Sequence, residues 1–132
     1  MITSKDVENV LWVLKEAEEE SVLAYDEQKA CEDKQTDILH EFELVDLSHN
    51  ARGHLGKSLA EVRRQRRIAK DTCELLKPLC EWIATSQVSI SALKRVLGDM
   101  RKIEEKQANR IYRRKADGKG EIISSDLKNE GR

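Results

Sequence analysis

Apolar residues recur every three or four positions along most of this chain, which is the spacing of one face of an α-helix. The first series follows Thr3 and Asp6, whose spacing fits a capping box, and continues to Tyr25. Residues 26–37 are almost wholly polar but include no glycine or proline. This stretch is therefore either a solvated extension of the first helix or a turn.

A second apolar series begins at Ile38 and predicts a separate helix, whose end is indicated by Asn50 and by glycines at positions 53 and 56. The next helix follows Ser58 and Glu61, a second candidate capping box. One side of it alternates steps of three and four, the heptad spacing of helices that pair. The residues of this side are Leu59, Val62, Arg66, Ala69, Cys73, Leu76, Cys80 and Ile83.

Pro78 interrupts that series, and it predicts a kink or a restart near Lys77 because proline removes a backbone hydrogen bond and crowds the preceding turn. Polar residues at positions 85–91 predict a connection. The final helix has an apolar face from Ile90 to Ile111 and is expected to end near Lys115. The polar, glycine-containing stretch 116–132 predicts a flexible tail.

These patterns predict an all-α fold, in which residues 1–115 form a single domain. We expect an elongated helical bundle or coiled-coil-like hairpins of three to four long helices. Each helix has one apolar stripe and a densely charged remainder, so it must bury that stripe against another helix. A narrow core of this kind predicts self-association, most simply as a two-fold dimer.

Composition supports the same interpretation, since 37% of the 132 residues are charged, 39% are hydrophobic and only one is proline. The longest apolar run, near residues 10–14, is far shorter than the roughly 20 residues that cross a membrane, so no membrane association is expected. Three cysteines are an odd number and do not suggest a disulfide framework. We therefore expect a cytoplasmic protein with reduced thiols.

Charge is divided between the two parts of the chain: residues 1–50 have a net charge of −10 and residues 51–132 a net charge of +9. Acidic early helices can lie beside basic later ones, within one chain or across a dimer. Alternatively, the basic residues form a surface for nucleic acid or for an acidic protein. The candidate partner-binding residues are Arg63, Arg66, Arg67 and Lys70, whose spacing places them on one side of a helix, and Arg110, Arg113 and Arg114.

One acidic pattern suggests an enzyme. Glu16 and Glu19 are three residues apart, as are Glu43 and Asp46, and acids at this spacing share a helix face. Across residues 14–49 the arrangement resembles the all-α NTP pyrophosphatases. That resemblance implies Mg²⁺ held by these four acids on antiparallel helices. Because acids are so frequent in this part of the chain, such pairs also arise by chance. The sequence indicates no cofactor other than Mg²⁺.

The order of motifs over residues 35–80 resembles small helical accessory proteins of phages and prophages of Gram-positive bacteria. The segments are DILHEFEL at 37–44, RRQRR at 63–67 and LLKPL at 75–79. The resemblance implies a phage-encoded protein made in the host cytoplasm, which binds host or phage macromolecules and in some cases inhibits a host defence system. We therefore expect a non-enzymatic binding protein, with Mg²⁺-dependent NTP pyrophosphatase and nucleic-acid binding as alternatives.

Overall fold

The computed structural model describes residues 1–110, 112–113 and 122–123. The fold is all-α, as predicted, and the described residues form three helices: α1 (Ser4–Leu44), α2 (His49–Thr85) and α3 (Gln87–Ala108). Two strands of two residues each, β1 (Tyr112–Arg113) and β2 (Ile122–Ile123), pair in antiparallel fashion. Apart from β2, the predicted tail at 116–132 lies outside the described residues.

The chain divides into two compact units. The first combines Met1–Leu11 with Val88–Arg132, so it contains the start of α1 and most of α3. The second, Trp12–Gln87, contains the rest of α1 and all of α2.

Helix α1 continues without a break through the polar stretch 26–37. Its first turn is capped as predicted, because the backbone N–H of Thr3 donates to Asp6 Oδ2 at 2.8 Å. In the polar stretch, Gln28 donates to the carboxylate of Glu32 at 3.1 Å, one helical turn away. The extension alternative is therefore the one observed, and the predicted separate helix beginning at Ile38 is wrong.

The start of α2 also differs from the prediction, which placed a helix end at the two glycines and a new cap at Ser58. The observed N-cap is Ser48, whose side chain accepts a hydrogen bond from the Ala51 N–H at 3.2 Å. Gly53 and Gly56 lie within the helix, and a Cβ added at either would meet nothing within 4 Å. A glycine inside a helix lowers its stability by only about 1 kcal/mol. This penalty is too small to end a helix that has a good N-cap upstream.

The boundaries of the later helices agree with the prediction in part. α2 passes through Pro78 as one helix, so the predicted restart at Lys77 is not observed. The predicted connection is a single residue, Ser86, whose N–H donates to the carbonyl of Ile83 at 3.2 Å. α3 ends at Ala108, earlier than the predicted end near Lys115, and the backbone then enters β1.

In the second unit, α1 and α2 pair along a seam whose α1 side is made of small residues. Ala17, Ala24 and Cys31 are buried at seven-residue intervals. The α2 side presents Val62, Ala69 and Ile83, on the heptad series predicted from the sequence. Small side chains let the helices approach closely. The Sγ of Cys80 lies 3.7 Å from the backbone carbonyl oxygen of Ala17, an atom that a larger neighbour would cover.

In the first unit, a carboxylate of α3 caps the start of α1. Glu104 accepts hydrogen bonds from the backbone N–H of Ser4, at 3.1 Å, and from the Ser4 hydroxyl. A negative charge at this position also interacts favourably with the N-terminal end of the helix dipole. A second pair, Arg101 with Glu8, joins the same segments, and Ile90 and Leu97 are the buried residues of α3.

The two glycines of α2 give a direct test of this fold. We expect Gly53→Ala and Gly56→Ala each to stabilise the protein by about 0.5–1 kcal/mol, because alanine loses less backbone entropy on folding and has open space for its methyl group. Urea unfolding followed by circular dichroism measures the change. Destabilisation by both substitutions would contradict the placement of these residues inside α2.

Candidate interaction surfaces

The four basic residues of α2 that were predicted to share one surface differ in their ion pairing. Arg63 and Arg67 are exposed, and Lys70 is half-buried. Within residues 1–110, none of these three side chains has a carboxylate partner within 4.0 Å. They lie within two helical turns of one another, so Arg63, Arg67 and Lys70 together form a basic strip.

Arg66 faces a different direction from the basic strip. It occupies the heptad series of the seam, with 30% of its side chain exposed, and its Nε lies 3.4 Å from Glu32 Oε1 on α1. A hydrogen bond from Gln28, together with the charge and hydrogen bond of Arg66, holds the pKa of Glu32 below its ordinary value. The prediction that all four cations point the same way is therefore incomplete, because one of them stabilises the helix pair.

The first two arginines of the second predicted basic cluster lie after the end of α3. Arg110 is exposed, and its backbone N–H donates to the carbonyl of Gln107 at 3.3 Å. Arg113 belongs to β1, opposite Ile122. Arg114 lies outside the described residues. The helix spacing that grouped these arginines does not apply, because α3 has already ended at Ala108.

The two acidic pairs of the predicted Mg²⁺ site are far apart from each other. Glu16 and Glu43 belong to the same continuous helix, α1, and 27 residues at 1.5 Å each separate them by about 40 Å along its axis. The resemblance to NTP pyrophosphatases required the two pairs to face each other on antiparallel helices. Within one chain, Glu16 and Glu19 cannot share an ion with Glu43 and Asp46. More generally, the part of the chain that the structure describes contains no group of three or more His, Cys, Asp or Glu residues placed to hold a metal ion.

A groove between α1 and α2 was not predicted from the sequence. It is open to solvent and has a volume of about 500 Å³. From α1 it is lined by Glu20, Leu23, Ala24 and Glu27. From α2 it is lined by Gln65, Ile68, Ala69 and Thr72.

Ile68, which lines this groove, is also the first of three exposed apolar side chains at regular spacing on α2. Ile68, Leu75 and Trp82 follow one another at seven-residue intervals and are 67%, 77% and 49% exposed. Each precedes a residue of the seam by one position, so they form a second apolar line beside it. This spacing is visible in the sequence, but only the pairing of α1 with α2 shows that the line remains uncovered in the described residues.

Helix α3 has a similar outer line. Its buried residues Ile90 and Leu97 face inward, whereas Val96 and Ile103, also seven residues apart, are exposed. A basic residue precedes each of them, Arg95 and Lys102 respectively, and both are exposed.

The thiols are free, and one of them is enclosed. Cys31 is only 1% exposed and donates to a carboxylate oxygen of Glu27 at 3.6 Å. Burial raises its pKa, and the nearby Glu27 carboxylate raises it further. Such a thiol is poorly suited to act as a nucleophile, so Cys31 serves as a small packing residue.

Comparison with protein-family models, with curated proteins and with solved structures finds no match for this chain. Among the described residues, none of the helices combines the length and the apolar character needed to cross a lipid bilayer.

The contact between Arg66 and Glu32 generates a pH prediction. A lowered carboxylate pKa adds stability above the ordinary value of 4.5, and this stability is lost as the pH falls through the folded-state value. Arg66→Met should therefore lower stability at pH 7 more than at pH 3. Urea unfolding at the two pH values measures this difference.

The matched control is Arg64→Met, which removes the ion pair of Arg64 with Glu61, 2.6 Å long and formed by two well-exposed side chains. Solvent screens exposed pairs of this kind, so we expect Arg64→Met to lower stability at pH 7 less than Arg66→Met does, although Arg64 also lowers the pKa of Glu61. An Arg66→Met effect of the same size at both pH values would contradict the role assigned to the Glu32 charge.

Proposed function

We propose that this protein is a non-enzymatic binding protein that recognises a macromolecular partner through its charged helix surfaces. The observation that carries the proposal is the basic strip. Its three cations lie close together on α2 and have no carboxylate partner within residues 1–110. Cations without a neighbouring carboxylate attract an acidic surface and accelerate its association.

The partner is proposed to be an acidic host or phage protein, met in the cytoplasm of the host cell. Support for this part comes from the order of motifs over residues 35–80, which resembles phage accessory proteins. Inhibition of a host defence system is a role that such binding would serve. In that role the protein would block a surface of its target, and it would need no catalytic group or cofactor of its own.

We also propose that the protein self-associates, most simply as a two-fold dimer of helical hairpins. Support comes from the balance of apolar side chains within residues 1–110. Eight hydrophobic residues are buried there, whereas 17 large hydrophobic residues are exposed. Extended apolar surface on a soluble protein is typical of interaction sites. Pairing would bury part of the lines that contain Leu75 and Val96.

The basic strip can be tested with two purified probes, poly-L-glutamate and a duplex DNA of about 30 base pairs, followed by fluorescence anisotropy. We expect Arg63→Glu/Arg67→Glu/Lys70→Glu to weaken binding to poly-L-glutamate by at least about ten-fold, because acidic groups repel the reversed charges. The control Lys34→Glu/Arg52→Glu/Lys57→Glu makes the same charge change at exposed positions away from the strip.

Equal loss in both triple variants would show that only net charge matters and would remove the strip as a specific site. Strong binding to DNA that weakens steeply with salt, without binding to poly-L-glutamate, would replace the protein partner by nucleic acid. Circular dichroism confirms that each variant is folded.

Self-association is tested separately by sedimentation equilibrium of the wild-type protein. We expect a mass near twice 15.2 kDa at concentrations of about 100 μM, where a dimer with micromolar affinity is fully formed. A single species of 15.2 kDa at that concentration would overturn the dimer and would leave the basic strip untouched as a hypothesis.

A further inference from the structure

Two exposed surfaces of this chain complement each other. We propose that a second copy of the chain places the outer face of its α3 in the acidic-edged groove between α1 and α2, and that the two copies do so reciprocally. The inference depends on the self-association proposed above and specifies which surfaces produce it.

The groove combines an apolar floor with an acidic edge. From α2, Ile68 lines the groove, and Leu75 is an exposed apolar side chain seven residues further along the same helix. Glu20 and Glu27 lie along the α1 edge, also seven residues apart. The surrounding stretch of α1, residues 16–27, contains six acids and no basic residue. A helix that fits this groove therefore needs an apolar stripe flanked by cations.

The outer face of α3 has those properties. Val96 and Ile103 are 47% and 55% exposed, and Arg95 and Lys102 lie directly beside them in sequence. Lys106 extends the same basic side by one turn. Within residues 1–110, Arg95, Lys102 and Lys106 have no carboxylate within 4.0 Å.

The spacings of the two surfaces agree. Apolar and charged residues recur every seven positions on both, which is about 10.5 Å along a helix. An apolar pair on α3 can therefore meet Ile68 and Leu75 while its two cations meet Glu20 and Glu27. Self-pairing of groove with groove would instead bring two acidic edges together, which like-charge repulsion opposes.

A reciprocal exchange of α3 between two copies gives a closed assembly. If each copy offers its α3 to the groove of the other, both contacts form within one pair of chains and the assembly is complete as a two-fold dimer. If the exchange were not reciprocal, each added copy would leave a groove open, and the chains would continue into rings or filaments.

Charge reversal on the two surfaces tests the proposal. Glu20→Lys/Glu27→Lys and Arg95→Glu/Lys102→Glu should each weaken homodimerisation by at least about ten-fold, because each places like charges opposite one another. A 1:1 mixture of the two variants should form a dimer with nearly wild-type affinity. In the mixed dimer, the unchanged α3 of the first variant meets the unchanged groove of the second. The acidic α3 of the second variant meets the basic groove of the first, so both charges of that contact are reversed and still attract. Sedimentation equilibrium measures all three samples.

The matched control is Asp26→Lys/Asp33→Lys, which makes the same charge change at exposed α1 positions that are also seven residues apart but do not line the groove. It should dimerise like the wild type. A second pair of variants tests the apolar contact: Leu75→Asp should weaken the dimer, whereas Val22→Asp, on an exposed site of α1 outside the groove, should not.

The results separate this inference from the self-association on which it depends. If the wild type is a dimer and neither charge-reversed variant is weakened, another surface forms the dimer and the α3–groove contact is wrong. If both variants are weakened and their mixture does not recover, the two surfaces do not meet each other, and the contact is again wrong. A monomeric wild type overturns both proposals, whereas the basic strip is tested by its own experiment.

Discussion

The close pairing of α1 with α2 determines what the rest of the second unit can do. It depends on small side chains, Ala17, Ala24 and Cys31, placed every seven residues on one helix and opposed by the heptad series of the other. Because these residues fill little volume, the helices approach until a side chain of α2 reaches the backbone of α1. The same close approach confines Arg66 to the seam and leaves Ile68 and its neighbours along an open groove.

The two kinds of exposed surface on α2 arise from this single constraint. Residues on the seam are used for folding, and those one position to either side remain available for other contacts. Arg66 stabilises the pair through Glu32, whereas Arg67, the next residue, is exposed. Leu75 and Leu76 differ in the same way: Leu75 is 77% exposed, and Leu76 belongs to the heptad series. Exposed residues therefore alternate with structural ones in one short sequence.

How far the sequence predicts this molecule depends on side-chain size. The α2 series was recognisable because Val62, Leu76 and Ile83 are strongly apolar, and the all-α class followed from such patterns. The middle of α1 was ambiguous because its inward positions are alanine, cysteine and glutamine, which give a weak hydrophobic signal. The groove could not be predicted, since Glu20 and Ile68 are 48 residues apart and become neighbours only when the helices pair. The predicted Mg²⁺ site failed for a different reason: α1 is one unbroken helix, and it keeps the two acidic pairs far apart.

The cap that Glu104 provides to Ser4 joins positions one hundred residues apart in the chain. During synthesis the ribosome releases the first turn of α1 long before it releases residue 104, so that turn must wait for its acceptor. A chain shortened after α2 would never complete it. The capping of this helix start therefore combines a local contact, between Thr3 and Asp6, with one that depends on α3 being in place.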